Sequence, residues 1–215
     1  SQAFPVPDSI SFQEAAFSEP ISCCIRSLKK IHVGLAEDLL IVGAGPMGLM
    51  HLQVARCLGV RIFVSEPDAS RLDKAKEMGA DFVIDPVREN LAEIILKHTD
   101  GRGVDVCVVT SPAHAALSSS FQVLAKTGRV NIYTSYLDKP LIPMDADTLH
   151  KNENLITGSE GRTEFDFHQA VRLISMGKVD VRPLISKRVG FEEIENGMRL
   201  AMSGETYRVL LEHSL

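Results

Sequence analysis

From residue 38 to residue 157 the chain alternates short apolar runs with longer segments whose apolar residues recur every three or four positions. Leu39-Leu40-Ile41-Val42 is apolar without a break, as expected of a parallel strand buried on both faces. Residues 46–58 then place Met47, Met50, Val54, Cys57 and Leu58 on one helical stripe, which Gly59 can end. Arg61 to Ser65 reads as a second strand. Asp68 can cap a helix carrying Leu72, Ala75 and Met78, which stops at Gly79. Phe82-Val83-Ile84 is a third strand, and Leu91, Ile94, Ile95 and His98 mark the next helix. Val104 to Val109 is a fourth strand, with Leu117, Phe121 and Leu124 on the helix after it. Arg129 to Tyr133 and Leu155-Ile156-Thr157 are the fifth and sixth strands. Strands separated by helices of this length predict βαβ units and a parallel sheet with right-handed crossovers.

The flanks break this rhythm. One helix is expected from Phe12 to Lys30. After the sixth strand come a helix through Phe167, Val171 and Ile174, then the stretch Val179 to Leu184. A second helix follows through Phe191, Ile194, Met198 and Ala201, ending at Gly204, and a last strand lies at Tyr207 to Leu211.

The chemistry concentrates at the end of the first strand. Gly43-Ala44-Gly45-Pro46-Met47-Gly48 fits G-x-G-x-x-G, directly after a buried strand and opening a helix. The first glycine permits the tight turn, the second lets a pyrophosphate approach, and the third lets helix and strand touch. Free N–H groups at the helix N-terminus then favour phosphate. Eighteen residues on, Glu66 follows the second strand, where a carboxylate can accept both adenosine ribose hydroxyls and repel a 2′-phosphate. That favours NAD over NADP. Arg71 either hydrogen-bonds the same ribose or is an exposed helix residue, and it leaves room for NADP. The expected fold is therefore α/β, a Rossmann doubly wound parallel sheet of order 3-2-1-4-5-6.

Composition narrows the class further. With 215 residues, 45% hydrophobic and 24% charged, the chain can bury a core and is not a disordered one. A net charge of -5 with no Lys/Arg block gives no reason to expect nucleic acid or an anionic membrane as partner. No apolar run approaches the ~18 residues of a spanning helix. Cys23, Cys24, Cys57 and Cys107 have no metal-ligand spacing and read as buried, reduced thiols, which points to the cytoplasm. None of the seven histidines (His51 on the glycine-motif helix, His98 near a helix end, His114 at a helix start, His150 in a loop among them) sits in a catalytic motif. No catalytic residue is expected in this chain.

With these residues in view, the chain resembles the medium-chain dehydrogenase/reductase superfamily, and most of all its zinc-dependent alcohol and polyol branch, with the sorbitol and threonine dehydrogenases. The matching stretches are Glu14-Ala15-Ala16 to Glu19-Pro20, Val42 to Gly48, Arg71-Leu72 to Gly79-Ala80-Asp81, Gly101 to Val106, Thr157-Gly158-Ser159, and Gly204-Glu205 to Arg208-Val209-Leu210. The resemblance implies a catalytic domain lying before Ser1, so the chain is expected to be a piece of a longer protein. Residues 1–30 would be the linker helix and the end of that domain, 31–160 the dinucleotide-binding domain, and 161–215 the C-terminal return segment of the catalytic domain. It also implies roles: the glycine motif, including Pro46 and Met47, with Arg208 on the cofactor pyrophosphate; Thr110 and Ser111 along the cofactor groove; Tyr133 and Thr134 beside the nicotinamide; the backbone from Thr157 to Ser159 on the carboxamide; and Glu19 in or next to a zinc shell. Pro112 and Thr134-Ser135 stand where the family has glycine.

The whole protein is then expected to move a hydride between an alcohol or polyol and NAD, with zinc held by the absent domain. A zinc-free enone or quinone reductase and a non-catalytic dinucleotide-binding module are the alternatives. The family pairs subunits through the sixth strand, so a homodimer or homotetramer is expected through Leu155-Ile156, approached by Leu141-Ile142-Pro143-Met144.

Overall fold

The computed structural model describes residues 3–138, 141 and 145–213. In chain order its elements are α1 (Phe12–Ala15), α2 (Ser18–Lys30), β1 (Asp38–Val42), α3 (Pro46–Arg56), β2 (Arg61–Ser65), α4 (Ala69–Glu77), β3 (Phe82–Ile84), α5 (Leu91–His98), β4 (Val104–Val109), α6 (His114–Gln122), β5 (Leu124–Ile132), α7 (Ala146–Asn152), β6 (Leu155–Gly158), α8 (Glu164–Ser175), β7 (Ile185–Gly190), α9 (Ile194–Met202) and β8 (Arg208–Glu212). Short 3-10 turns at Arg182–Leu184 and Phe191–Glu193 precede β7 and α9.

Strands β1 to β6 form one sheet of order β3-β2-β1-β4-β5-β6, with every pair parallel. The alternation of side chains along each strand divides the core into two layers. Leu39, Ile41, Ile62, Val64, Val106 and Val108 face α2, α3 and α8. Leu40, Val42, Phe63, Cys107, Val109 and Val130 face α5 and α6. All five residues of β1 are buried, and Leu39 to Val42 accordingly read as an unbroken apolar run. Strands β7 and β8 make a separate parallel pair, with α9 laid against them through Gly197, where an added Cβ would come within 2.8 Å of Val189.

Several sequence expectations need correction. The helix expected from Phe12 to Lys30 is two helices, α1 and α2, broken at Ala16-Phe17. Pro20 has no N–H and clashes with the preceding turn, so it is tolerated only in the first turn of a new helix. Leu124 opens β5 rather than extending α6, and Tyr133 lies just beyond that strand. His150 is on α7, not in a loop. The predicted approach Leu141-Ile142-Pro143-Met144 lies outside the described residues at 142–144. Asp38, almost fully buried, accepts from Arg61 at 2.6 and 2.9 Å and from Arg102 at 3.0 Å, closing the far end of the sheet from the glycine motif.

Candidate cofactor site

The strand order reverses between β1 and β4, so their carboxyl ends diverge into helices on opposite faces and leave a crevice. Val42 pairs with Val109, which brings Gly43 and Thr110 together. The Thr110 hydroxyl donates to the Val42 carbonyl at 2.9 Å and lies 3.2 Å from that of Gly43. Gly43 has φ +103, and a Cβ there would sit 2.8 Å from Thr110 Oγ1. A Cβ on Gly48 would fall 1.9 Å from the Gly43 carbonyl oxygen, so helix α3 can start only with glycine at that point. A Cβ on Gly45 would meet nothing nearer than Arg71 Nη1, at 4.0 Å. The strand therefore demands two of these glycines for its own packing, while Gly45 faces open space. Gly45 is the N-cap of α3 and Pro46 its first residue. The first-turn amides of Met47 and Gly48 have no carbonyl within the helix to bond, which suits an entering phosphate.

Glu66 is buried at the end of β2. Its Oε2 accepts from the Ala44 amide at 2.8 Å and its Oε1 from the Asp68 amide at 3.1 Å. The carboxylate thus ties the glycine loop to the turn that enters α4, which Asp68 caps. An ionised carboxylate has about four acceptor sites, so two remain. Arg71 donates to the Gly204 carbonyl and so joins α4 to the C-terminal segment. Glu66, Arg71, Gly43, Gly45, Thr110 and Ser111 line one cleft of about 470 Å³. Pro86 and Val87, beyond β3, also border it. Nothing in the sequence pattern singled them out, because only the crossover brings them there.

A second hollow of about 440 Å³ lies at the ends of β5 and β6, bordered by Tyr133, Thr134, Gly158 and Ser159. Thr157 does not border it; it sits within β6 opposite Asn131, and its hydroxyl donates to the Gly158 carbonyl at 3.3 Å. Asn131, fully buried, donates to Ser27 Oγ at 2.6 Å and to Ser159 Oγ at 2.8 Å, pinning the β6 exit to α2. A polar residue between Val130 and Ile132 was the available signal for this link. Tyr133 meets the buried His51 ring edge-on at 4.5 Å. His51 Nδ1 is 2.8 Å from the Met47 carbonyl and its Nε2 has no partner. Burial pushes this imidazole down to about 4, so it is neutral at physiological pH.

Arg208, at the start of β8, reaches across to the sulfur of Met47 at 3.4 Å, and its buried Nε has no hydrogen-bond partner. An uncompensated guanidinium N–H beside the first turn of α3 fits an anion such as a pyrophosphate. Glu19 is on α2, 3.8 Å from Arg162, and accepts from the Cys23 thiol at 3.3 Å. Burial, with Glu19 beside it, pushes that thiol up to about 11, so Cys23 is protonated and no thiolate ligand. Among the described residues no three His, Cys, Asp or Glu side chains come together to hold a metal, and no chemistry through zinc is assigned to this chain. The residues present do fit a dinucleotide.

A parallel sheet of this order, with a glycine-rich loop entering a helix at its switch point, defines a Rossmann-type cofactor-binding domain. The chain belongs to the zinc-binding dehydrogenase family, which it matches over residues 46–176. It is 30% identical over 210 residues to the D-arabitol-phosphate dehydrogenase of Enterococcus avium, covering 96% of this chain and 59% of that protein. It is 33% identical over 207 residues to the L-threonine 3-dehydrogenase of Pyrococcus horikoshii, covering 95% and 59%. The alcohol dehydrogenase of Thermus sp. ATN1 superimposes with a TM-score of 0.91 at 23% identity, over 97% of this chain and 60% of that one, a likeness of fold. The chain thus spans about 59% of the length of these curated relatives.

Proposed function

We propose that this chain is the NAD-binding part of an oxidoreductase that moves a hydride between an alcohol or polyol and NAD. The observation that carries the cofactor choice is Glu66: a buried carboxylate on the cleft wall, with acceptor capacity left for the ribose hydroxyls and a charge that opposes a 2′-phosphate. Arg208, the amides of Met47 and Gly48, and the space beside Gly45 hold the pyrophosphate. Thr110 and Ser111 line the adenosine half, and Arg71 offers the ribose its remaining N–H groups. Tyr133 and the Gly158-Ser159 backbone orient the nicotinamide, with Thr157 holding that segment in the sheet. When bound, the nicotinamide supplies the hydride acceptor. The relatives that act on D-arabitol phosphate and L-threonine support a hydroxylated substrate. In this reading zinc is held by parts of the protein outside this chain, Glu19 adds one carboxylate near it, and the enzyme is cytoplasmic and dimeric or tetrameric.

The test is the longer protein assayed with NAD against a panel of polyols and secondary alcohols, with metal analysis alongside. Polyol-dependent NADH formation with about one zinc per active site is expected. Reduction of enones or quinones by a metal-free protein would favour the zinc-free reductase instead.

A further inference from the structure

On the face of the molecule formed by α2, α3 and α8 lies a groove of about 710 Å³, apart from the cofactor cleft. Its floor is apolar: Leu28 and Val54 are buried, and Leu58 and Leu173 are half-buried. Its ionisable border is one-sided. Lys29, His32 and Arg172 line it and no carboxylate does, in a chain whose net charge is -5. Lys29 is already held, by Asp166 at 2.6 Å and by Gln169. Arg172 has no side-chain partner among the described residues, and neither has the His32 ring. Arg56 and Lys178 add positive charge close to the Cys57 thiol, which also borders the groove. The volume is in the range of small-molecule sites, about 300–1,000 Å³. An apolar floor beneath an uncommitted guanidinium matches a ligand with a hydrocarbon body and a carboxylate head, which Arg can grip with two N–H groups.

We propose that this groove binds a free medium-chain carboxylate, its chain along Val54, Leu58 and Leu173 and its head at Arg172 and His32. Cys57 provides a reporter, since it is the one exposed cysteine of the four and borders the groove. Calorimetric titration with hexanoate, octanoate and decanoate, below their micellar concentrations, reads the floor. Burial of each added methylene should tighten binding by roughly fourfold, and decanoate should slow alkylation of Cys57 by N-ethylmaleimide in proportion to occupancy. Arg172→Glu should weaken decanoate by about tenfold with an unchanged melting temperature. Affinity independent of chain length, decyltrimethylammonium binding as tightly as decanoate, or Cys57 alkylation unaffected by saturating decanoate would each overturn the site. Displacement of decanoate by NADH would place it in the cofactor cleft, and sedimentation with phosphatidylglycerol vesicles in place of free-ligand binding would make the groove a membrane contact; either result also overturns the proposal.

Discussion

Two residues of the cofactor region carry charge consequences that can be measured singly. His51 is fully enclosed and neutral, with its pKa lowered from 6.5 to about 4. A group so depressed takes up its proton in the unfolded chain before the folded one. Its contribution to stability is therefore present above pH 6.5 and is lost as pH falls from there towards 4. The shift corresponds to about 3 kcal/mol. Denaturant melts of the protein and of His51→Gln across that window should differ in slope, the variant being flatter between pH 6.5 and 4. Parallel curves would mean that the imidazole is not desolvated. Carboxylates such as Asp166, held below the ordinary range by Lys29 and Thr163 against the opposing effect of burial, act lower, as pH falls through their own folded pKa. Glu66 has two tasks, and two substitutions separate them. Glu66→Gln keeps an acceptor for the Ala44 amide but loses the charge and turns an NH2 group towards the Asp68 amide, so it should narrow the preference for NADH over NADPH by about 1–3 kcal/mol and lower the melting temperature less than removal of both acceptors does. Glu66→Ala should narrow it as much and also lower stability, because two loop amides lose their acceptor.

The same division between packing and binding runs through the glycine-loop element. Gly48→Ala drives a methyl to 1.9 Å from the Gly43 carbonyl, so it should cost about 1–3 kcal/mol of stability and disturb the start of α3. Gly45→Ala meets open space and should leave stability within about 0.5 kcal/mol, while dinucleotide affinity falls by roughly tenfold. Thermal melts and binding titrations on the same two variants check this; a Gly45→Ala protein with full affinity would show that no phosphate passes there. Element by element, the sequence was readable where burial was two-sided or strictly periodic. β1, β2 and β4 are apolar runs between helices with clear stripes, and Gly43 and Gly45 line one cleft with Glu66. It was unreadable where a third partner decided the outcome. β7 is a strand through Ser186, Lys187 and Arg188, mostly exposed, and only its pairing with β8 makes it one. α7 has no buried residue and hence no stripe. Leu124 joins β5 because Val104 takes it as a partner, and Thr157 is held in the sheet while its neighbours border the hollow.

For the whole molecule, the open question is what covers its edges. Among the described residues β6 is an edge strand, paired only with β5, and Leu155 on it is exposed. An uncovered apolar edge invites a second copy about a two-fold axis. Light scattering behind a sizing column should show a dimer in the micromolar range, and Ile156→Lys should shift it to monomer; a wild-type monomer contradicts this pairing. Metal analysis of this chain after dialysis should find no stoichiometric zinc, since one carboxylate, Glu19, falls short of the three protein ligands of a catalytic site. The cleft between β1 and β4 is proposed as an NAD site set by Glu66. Its most direct test is calorimetric titration of this chain with NADH and NADPH under identical salt conditions. NADH should bind tighter by roughly tenfold or more; equal or tighter binding of NADPH would refute the assignment of Glu66 to the adenosine ribose.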